Sequence, residues 1–422
     1  MKLSKHKEYY PFLILMISLL IVHLFLPLNW SDDAVFLVKS SNLNLKQFLI
    51  GSARPLTDAM TYVLVRNNLI WRLLNPIVLT VLSITLSYLL SSINKLRQNI
   101  VICCTVFYPT LVLVDAGFIA TTVNYLWPIT CGLLCLIPIK QNYNNIKTSW
   151  AEALTLVPLL VYATNMQQMC VVLFIVLFVA NCHNVIQHKF NIYILIQFLL
   201  TIVGLLYSYY LNMVGGNNRM LRETIRYFPE FSQLSVFEKL ELGFSSTFYC
   251  LTMYVHFAWV AFIIFSFFIT KEVFKRKEKI LPKMISALPF VFTLCFGCIS
   301  LLPPKYVPYL GVFIGNLQNY GVGKATYSFN IVADICFMLV CLCLIYSLAI
   351  LLGQNNFYLA LSVLFLGLIS RLLMGFSPTV WASGFRTFAI LIISFITTAV
   401  IVINARDDTG KDKKTLLGAF VS

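Results

Sequence analysis

The sequence predicts an all-α, polytopic integral membrane protein with about 12 transmembrane helices and amphipathic helices in its outer loops. Three observations predict it. Mean hydropathy is +0.83, only 11% of residues are charged against 59% hydrophobic, and apolar runs of span length recur along the whole chain. Too little polar surface remains to solvate a globule of 422 residues. The formal charge of +15 does not indicate nucleic acid, because the basic residues are scattered between apolar runs and build no basic domain.

A membrane helix needs about 20 mostly apolar residues. On that ruler spans start near residues 11, 76, 100, 126, 151, 169, 191, 246, 284, 328, 357 and 386. The first run, Phe12 to Leu28, holds nothing more polar than Ser18 and His23, and Asn-Trp-Ser-Asp-Asp follows it without a small-residue cleavage site. It is therefore expected to be retained, with Met1 to Tyr10 cytoplasmic. Pro138, Pro158 and Asn165-Met166-Gln167-Gln168 interrupt the next runs, so residues 151–182 form either two spans or one broken, re-entrant element.

With the N-terminus inside, the basic connections 95–98, 140–147, 183–189 and 271–283 face the cytoplasm, as the positive-inside rule requires. Residues 1–404 then form a single transmembrane domain, and 405–422 a charged cytoplasmic tail. The outer loops are 29–75, 115–125, 212–245, 303–327 and 375–385. The twelve cysteines sit mostly in apolar runs, where they act as small hydrophobes rather than a disulfide framework. Cys295 and Cys298 lack a second ligand pair and are read as packing, so neither metal nor cofactor is expected.

Arginines depart from the inside bias. Arg54, Arg66, Arg72, Arg219, Arg222, Arg226, Arg371 and Arg386 all lie in or beside outer loops. A guanidinium grips phosphate oxygens in a fork, so an external phosphate-bearing ligand is one reason for the surplus, and snorkelling along outer headgroups is the other.

Each outer segment holds a constellation. The first has Asp32 and Asp33, then SARPLTDAMTYVLVR. Pro55 suits a first helical turn and Asp58 its positive end, and Leu56, Met60, Val63 and Leu64 form one stripe of a helix lying on the membrane. The second holds Asp115, Asn124, Tyr125 and Trp127, residue types that serve as interfacial anchors or as faces for a sugar ring. In the third, Gly215 to Asn218 make a turn and Arg219, Arg222 and Arg226 follow at helical spacing, a basic face for phosphate or for anionic headgroups. It is not a P-loop, since the GK[ST] ending is absent. In the last, Arg371 and Arg386 flank Ser377-Pro378. Near helix interiors the charges are Asp334 and Arg371 alone, few for an ion-coupled pump.

Taken together, the DD after the first span, ARPLTD, NYLWP, GGNNR and SP followed by Arg386 resemble the GT-C superfamily of membrane glycosyltransferases. They also resemble a family of bacterial polytopic proteins of unassigned function, related in layout to O-antigen-modifying glucosyltransferases. The resemblance covers nearly the whole chain, without the large C-terminal extracytoplasmic domain of oligosaccharyltransferases and with Asp115 alone where many such enzymes carry two acidic residues.

It implies a GT-C-like fold, a polyprenyl-phosphate-linked sugar donor, a cell-envelope glycan acceptor and a cell-membrane location with both termini cytoplasmic. Asp32 and Asp33 become the catalytic pair, with Asp32 preferred as base, since adjacent side chains cannot address one hydroxyl. Arg54, Asp58, Asp115, Asn124, Tyr125, Trp127, Arg219, Arg222, Arg371 and Arg386 become substrate-binding. Two rivals remain: a polysaccharide polymerase or ligase, and a lipid-linked glycan flippase or other transporter.

Overall fold

A computed structural model describes residues 7–28, 30–112, 117–213, 219–276, 278–303, 306, 325–327, 329 and 331–407, with the side chains of 108–112, 213, 219 and 407 outside the description. Asp115, the Gly215 to Asn218 turn, most of 303–327, Lys277 and the tail beyond 407 lie outside the described residues. All described elements are helical. The chain divides into two compact units, Met1–Arg219 and Met220–Ser422.

Among the described residues ten helices are long and apolar enough to cross a membrane, which makes this a multi-pass helical membrane protein. Ten of the runs expected from sequence meet these helices. The other two, near 100 and 151, fall on the shorter apolar helices Leu96–Phe107 and Trp150–Thr164.

The first unit begins with α1 (Tyr10–Phe25), then three helices outside the spans: α2 (Ser31–Asn42), α3 (Leu45–Leu49) and α4 (Pro55–Arg66). Pro55 occupies the first turn of α4, and Leu56, Met60 and Val63 of the predicted stripe remain exposed along it, while Leu64 turns into the core. Next come α5 (Asn68–Leu89) and α6 (Leu96–Val112). A membrane-length rod, Phe118–Tyr143, then joins α7 (Phe118–Thr121), a π-helical turn (Thr122–Leu126), α8 (Trp127–Leu134) and α9 (Ile137–Tyr143). After it come α10 (Trp150–Thr164), α11 (Gln167–Ile186) and α12 (Ile192–Met213). Residues 151–182 are thus two helices, parted at Asn165 and Met166. Helix α5 packs on α1, α6 and α8, α10 packs on α8 and α12, and α2 lies against α4 and α7. Leu28, Leu64, Val65, Trp71, Phe118, Ile119, Val123 and Trp127 form the core beneath the outer helices.

In the second unit α13 (Arg219–Tyr227) leads to α14 (Val236–Thr252), α15 (Phe257–Phe274), α16 (Ile280–Ser300), α17 (Ile331–Leu351), α18 (Gln354–Leu372) and α19 (Ala389–Asp407). Helix α14 is buried almost throughout from Glu241 to Thr252, with α15, α16, α17 and α18 packed on it. The span expected to start near 246 is interrupted. The chain leaves the helix after Thr252, and His256, extended at φ −154° and ψ −165°, restarts it as the cap of α15.

Basic side chains close several helix ends, where the last carbonyls have no intrahelical donor. Arg72 donates to Leu26 O at 2.9 Å and to His23 O, capping α1. Lys140 donates to Leu89 O at 3.4 Å, to Ser91 Oγ at 2.9 Å and to Tyr88 O, closing α5. Arg276 donates to Leu351 O at 3.1 Å at the end of α17. Part of the arginine surplus is therefore structural.

Candidate functional site

The site grows from the end of α1. A helix that starts at Phe118 exposes unpaired backbone N–H groups and the positive end of its dipole. Asp33, from the first turn of α2, meets them: Ala120 N donates to Oδ1 at 2.8 Å and Ile119 N to Oδ2 at 3.0 Å. Asp33 is 2% exposed. Burial pushes its carboxyl up to about 6, while the amides of Ala120, Ile119 and Phe118 pull it down and neighbouring Asp32 adds to the rise. The carboxylate is therefore engaged as a cap in trans. Asp32, half-buried one residue earlier, points about 100° away around the helix.

Gly117 makes this approach possible. Its φ is +88°, and a Cβ there would lie 2.6 Å from Asp33 Cγ and Oδ1.

Two further bonds fasten the same corner. Trp71 Nε1 donates to Thr122 Oγ1 at 2.9 Å. Trp127 Nε1 donates to Asn75 Oδ1 at 2.8 Å, and the Asn75 amide lies 2.8 Å from His23 Nε2. The directions follow from chemistry. Leu19 O, 2.7 Å from His23 Nδ1, only accepts, so Nδ1 carries the proton and Nε2 accepts from Asn75. Trp71 joins this corner, and the interfacial reading of Trp127 gives way here. Both are core residues, at 0% and 6% exposure, because helices start at Asn68 and Phe118 and draw them inward.

Beside this corner the structure gathers most of the residues singled out from the first two outer segments. The Arg54 guanidinium lies over the Tyr125 ring, 5.8 Å from its centroid. Asp58 accepts a 2.5 Å bond from Ser52 Oγ, while Ser52 Oγ accepts from Arg54 N at 2.9 Å. Tyr162 donates to Val123 O at 2.9 Å. Asn165 Oδ1 caps the start of α4 by accepting from Leu56 N at 3.0 Å.

Asn124 and Tyr125 stand on the π turn, a distortion that often marks functional sites because it re-aims side chains. Asn124 Nδ2 donates to Ala120 O at 2.8 Å. Its Oδ1, with Thr121 Oγ1 and Arg54 Nε, is buried and has no hydrogen-bond partner among the described residues. Asn124 and Thr121 are 2% and 1% exposed. Buried polar atoms left open in this way call for a partner beyond the described residues, a water or a ligand. Thr121, Ser52, Tyr162 and Asn165 were not singled out from sequence. Thr121 shares a helix face with Asn124 and Tyr125, a signal legible only once 115–125 is read as helix rather than loop.

The remaining candidates are Arg219, the last residue of the first unit, and arginines of the second. Arg222 and Arg226 are exposed on α13, Arg226 5.0 Å over the Tyr227 ring, while the Arg219 side chain lies outside the described residues. Arg386 Nε donates to Ser383 O at 2.9 Å and steadies the turn Phe385–Phe388. Arg371 is fully buried, its guanidinium 4.5 Å over the Phe388 ring. No group of three or more potential metal ligands occurs among the described residues.

No protein-family model, curated protein or solved structure matches this chain.

Proposed function

We propose that the chain is a membrane glycosyltransferase of GT-C-like architecture with twelve crossings, both termini cytoplasmic and the site on the extracytoplasmic face of the cell membrane. It moves a sugar from a polyprenyl-phosphate donor to a cell-envelope glycan. One observation carries the reading. Asp33 locks the start of α2 onto the Phe118 helix, which holds its neighbour Asp32 at a fixed helix start in the same unit as Arg54, Asp58, Asn124 and Tyr125.

Rigid placement is what a general base requires. Asp32 takes the proton of the acceptor hydroxyl as that oxygen bonds to the anomeric carbon. The bond from that carbon to the phosphate oxygen breaks, and the lipid phosphate departs with the electron pair. A cationic side chain balances the charge on the departing phosphate. The open Oδ1 of Asn124 and Nε of Arg54 suit sugar hydroxyls as acceptor and donor.

The test is glycan analysis of the host envelope with the gene present, deleted, and restored as Asp32→Asn at matched protein level. Loss of one sugar substituent on deletion, not restored by Asp32→Asn, is the expected result. Full restoration by Asp32→Asn would remove the transfer mechanism and favour a flippase.

A further inference from the structure

The break before α15 places a histidine where sequence reading assigned nothing. Ala258 N donates to His256 Nδ1 at 2.9 Å, so that nitrogen presents its lone pair and the proton of the neutral ring sits on Nε2. Nε2 is buried and has no hydrogen-bond partner among the described residues. Its surroundings are aromatic: ring centroids of Phe385, Tyr254 and Phe388 lie 3.9, 4.7 and 6.3 Å away. Phe388 is also the ring beneath Arg371, 4.5 Å from the guanidinium carbon, and Arg371 Nη2 donates to Ser246 Oγ at 3.4 Å.

We propose that the second unit holds an oxyanion site between the start of α15 and the end of α18, where Arg371 supplies charge and His256 Nε2–H a directional bond. A water molecule would satisfy the N–H. An oxyanion also meets the guanidinium and the positive end of α15, a helix of 18 residues. Burial, then the charge of Arg371, pushes the His256 pKa down to about 3, so the ring remains a neutral donor at physiological pH. The ligand chemistry is a phosphate group, whether free or carried on a lipid. The inference stands on the second unit alone and does not require that the protein transfer sugar.

The test uses the full-length protein in neutral detergent, with inorganic phosphate and a polyprenyl phosphate in mixed micelles as separate probes. Thermal unfolding and the imidazole 15N–1H resonance of His256 are the readouts. Saturable stabilisation of the parent, with a shift of the Nε2–H signal, is expected. His256→Asn keeps an acceptor for Ala258 N but cannot place the Nε2–H. It should fold at the parental temperature and bind at least tenfold more weakly; His256→Phe, which keeps the aromatic packing but loses the cap, should bind as weakly and melt lower.

Saturation by the lipid probe alone assigns the site to a lipid phosphate, and saturation by both assigns it to the free anion; either supports the proposal. Parental binding in His256→Asn, or no saturable effect of either probe, overturns it. Asp32→Asn should bind both probes as the parent does, so this result and the transfer reading are judged separately.

Discussion

Asp33 and Gly117 form one joint: the carboxylate accepts from Ala120 N at 2.8 Å and Ile119 N at 3.0 Å, and only a residue without a Cβ lets it come that close. Gly117→Ala meets two obstacles, a φ of +88° and the Asp33 backbone nitrogen 2.8 Å from the added carbon. Backbone does not swing aside as a side-chain tip would. The expected outcome is a loss of about 2 to 4 kcal/mol, read as a lower melting temperature and less folded protein in detergent.

Asp33→Asn should also act on stability first. One carboxylate oxygen becomes an NH2 that faces backbone donors, which leaves a buried amide unpaired at about 1 to 3 kcal/mol. Asp32→Asn leaves that joint intact, so its melting temperature should lie near the parent's while sugar transfer falls about 10² to 10⁴-fold. Equal thermal loss in both variants would contradict the separate roles given to them.

The joint also predicts a pH dependence. The pKa of Asp33 is raised from 3.8 to about 6, so the folded state holds its proton more tightly than the unfolded state does. Stability from this group therefore falls as pH rises through about 4 to 6 and is flat above, by on the order of 2 to 3 kcal/mol. Thermal unfolding between pH 4 and 8 checks it, and the slope should vanish in Asp33→Asn.

Trp127 and Asn75 provide a packing test. Trp127→Phe keeps the aromatic bulk in the core but leaves Asn75 Oδ1 without its donor, for an expected loss of about 1 to 3 kcal/mol. Asn75→Leu removes both bonds of the amide and strands the Trp127 N–H and His23 Nε2. A double-mutant cycle should give a coupling energy of about 0.5 kcal/mol or more, and strict additivity would argue against the bond.

Orientation is tested by single cysteines at two exposed positions, Glu230 and Lys279, in a cysteine-depleted protein. An impermeant maleimide should label the first in intact cells and the second only after permeabilisation. The opposite pattern would invert the topology and put the Asp32 corner on the wrong face for an external donor.

Hydropathy is a local property of the chain, and what depends on it was legible in the sequence: the helical membrane class, most of the amphipathic stripe of α4 and the arginine-bearing helix α13. A run of apolar residues stabilises a membrane helix whatever its neighbours are. The fate of a polar group depends instead on where distant segments bring a partner. Asp33 finds its donors 86 and 87 positions away. Arg72 closes α1 across 46 residues to Leu26 O, and Trp127 meets Asn75 across 52. Two adjacent aspartates look alike in sequence, and packing alone separates the one used as a cap from the one left at the helix end. His256 joins both levels: its imidazole caps the next helix locally, by accepting from Ala258 N two residues on, whereas the rings of Phe385 and Phe388 that surround it come from a distant segment and only the tertiary structure brings them there.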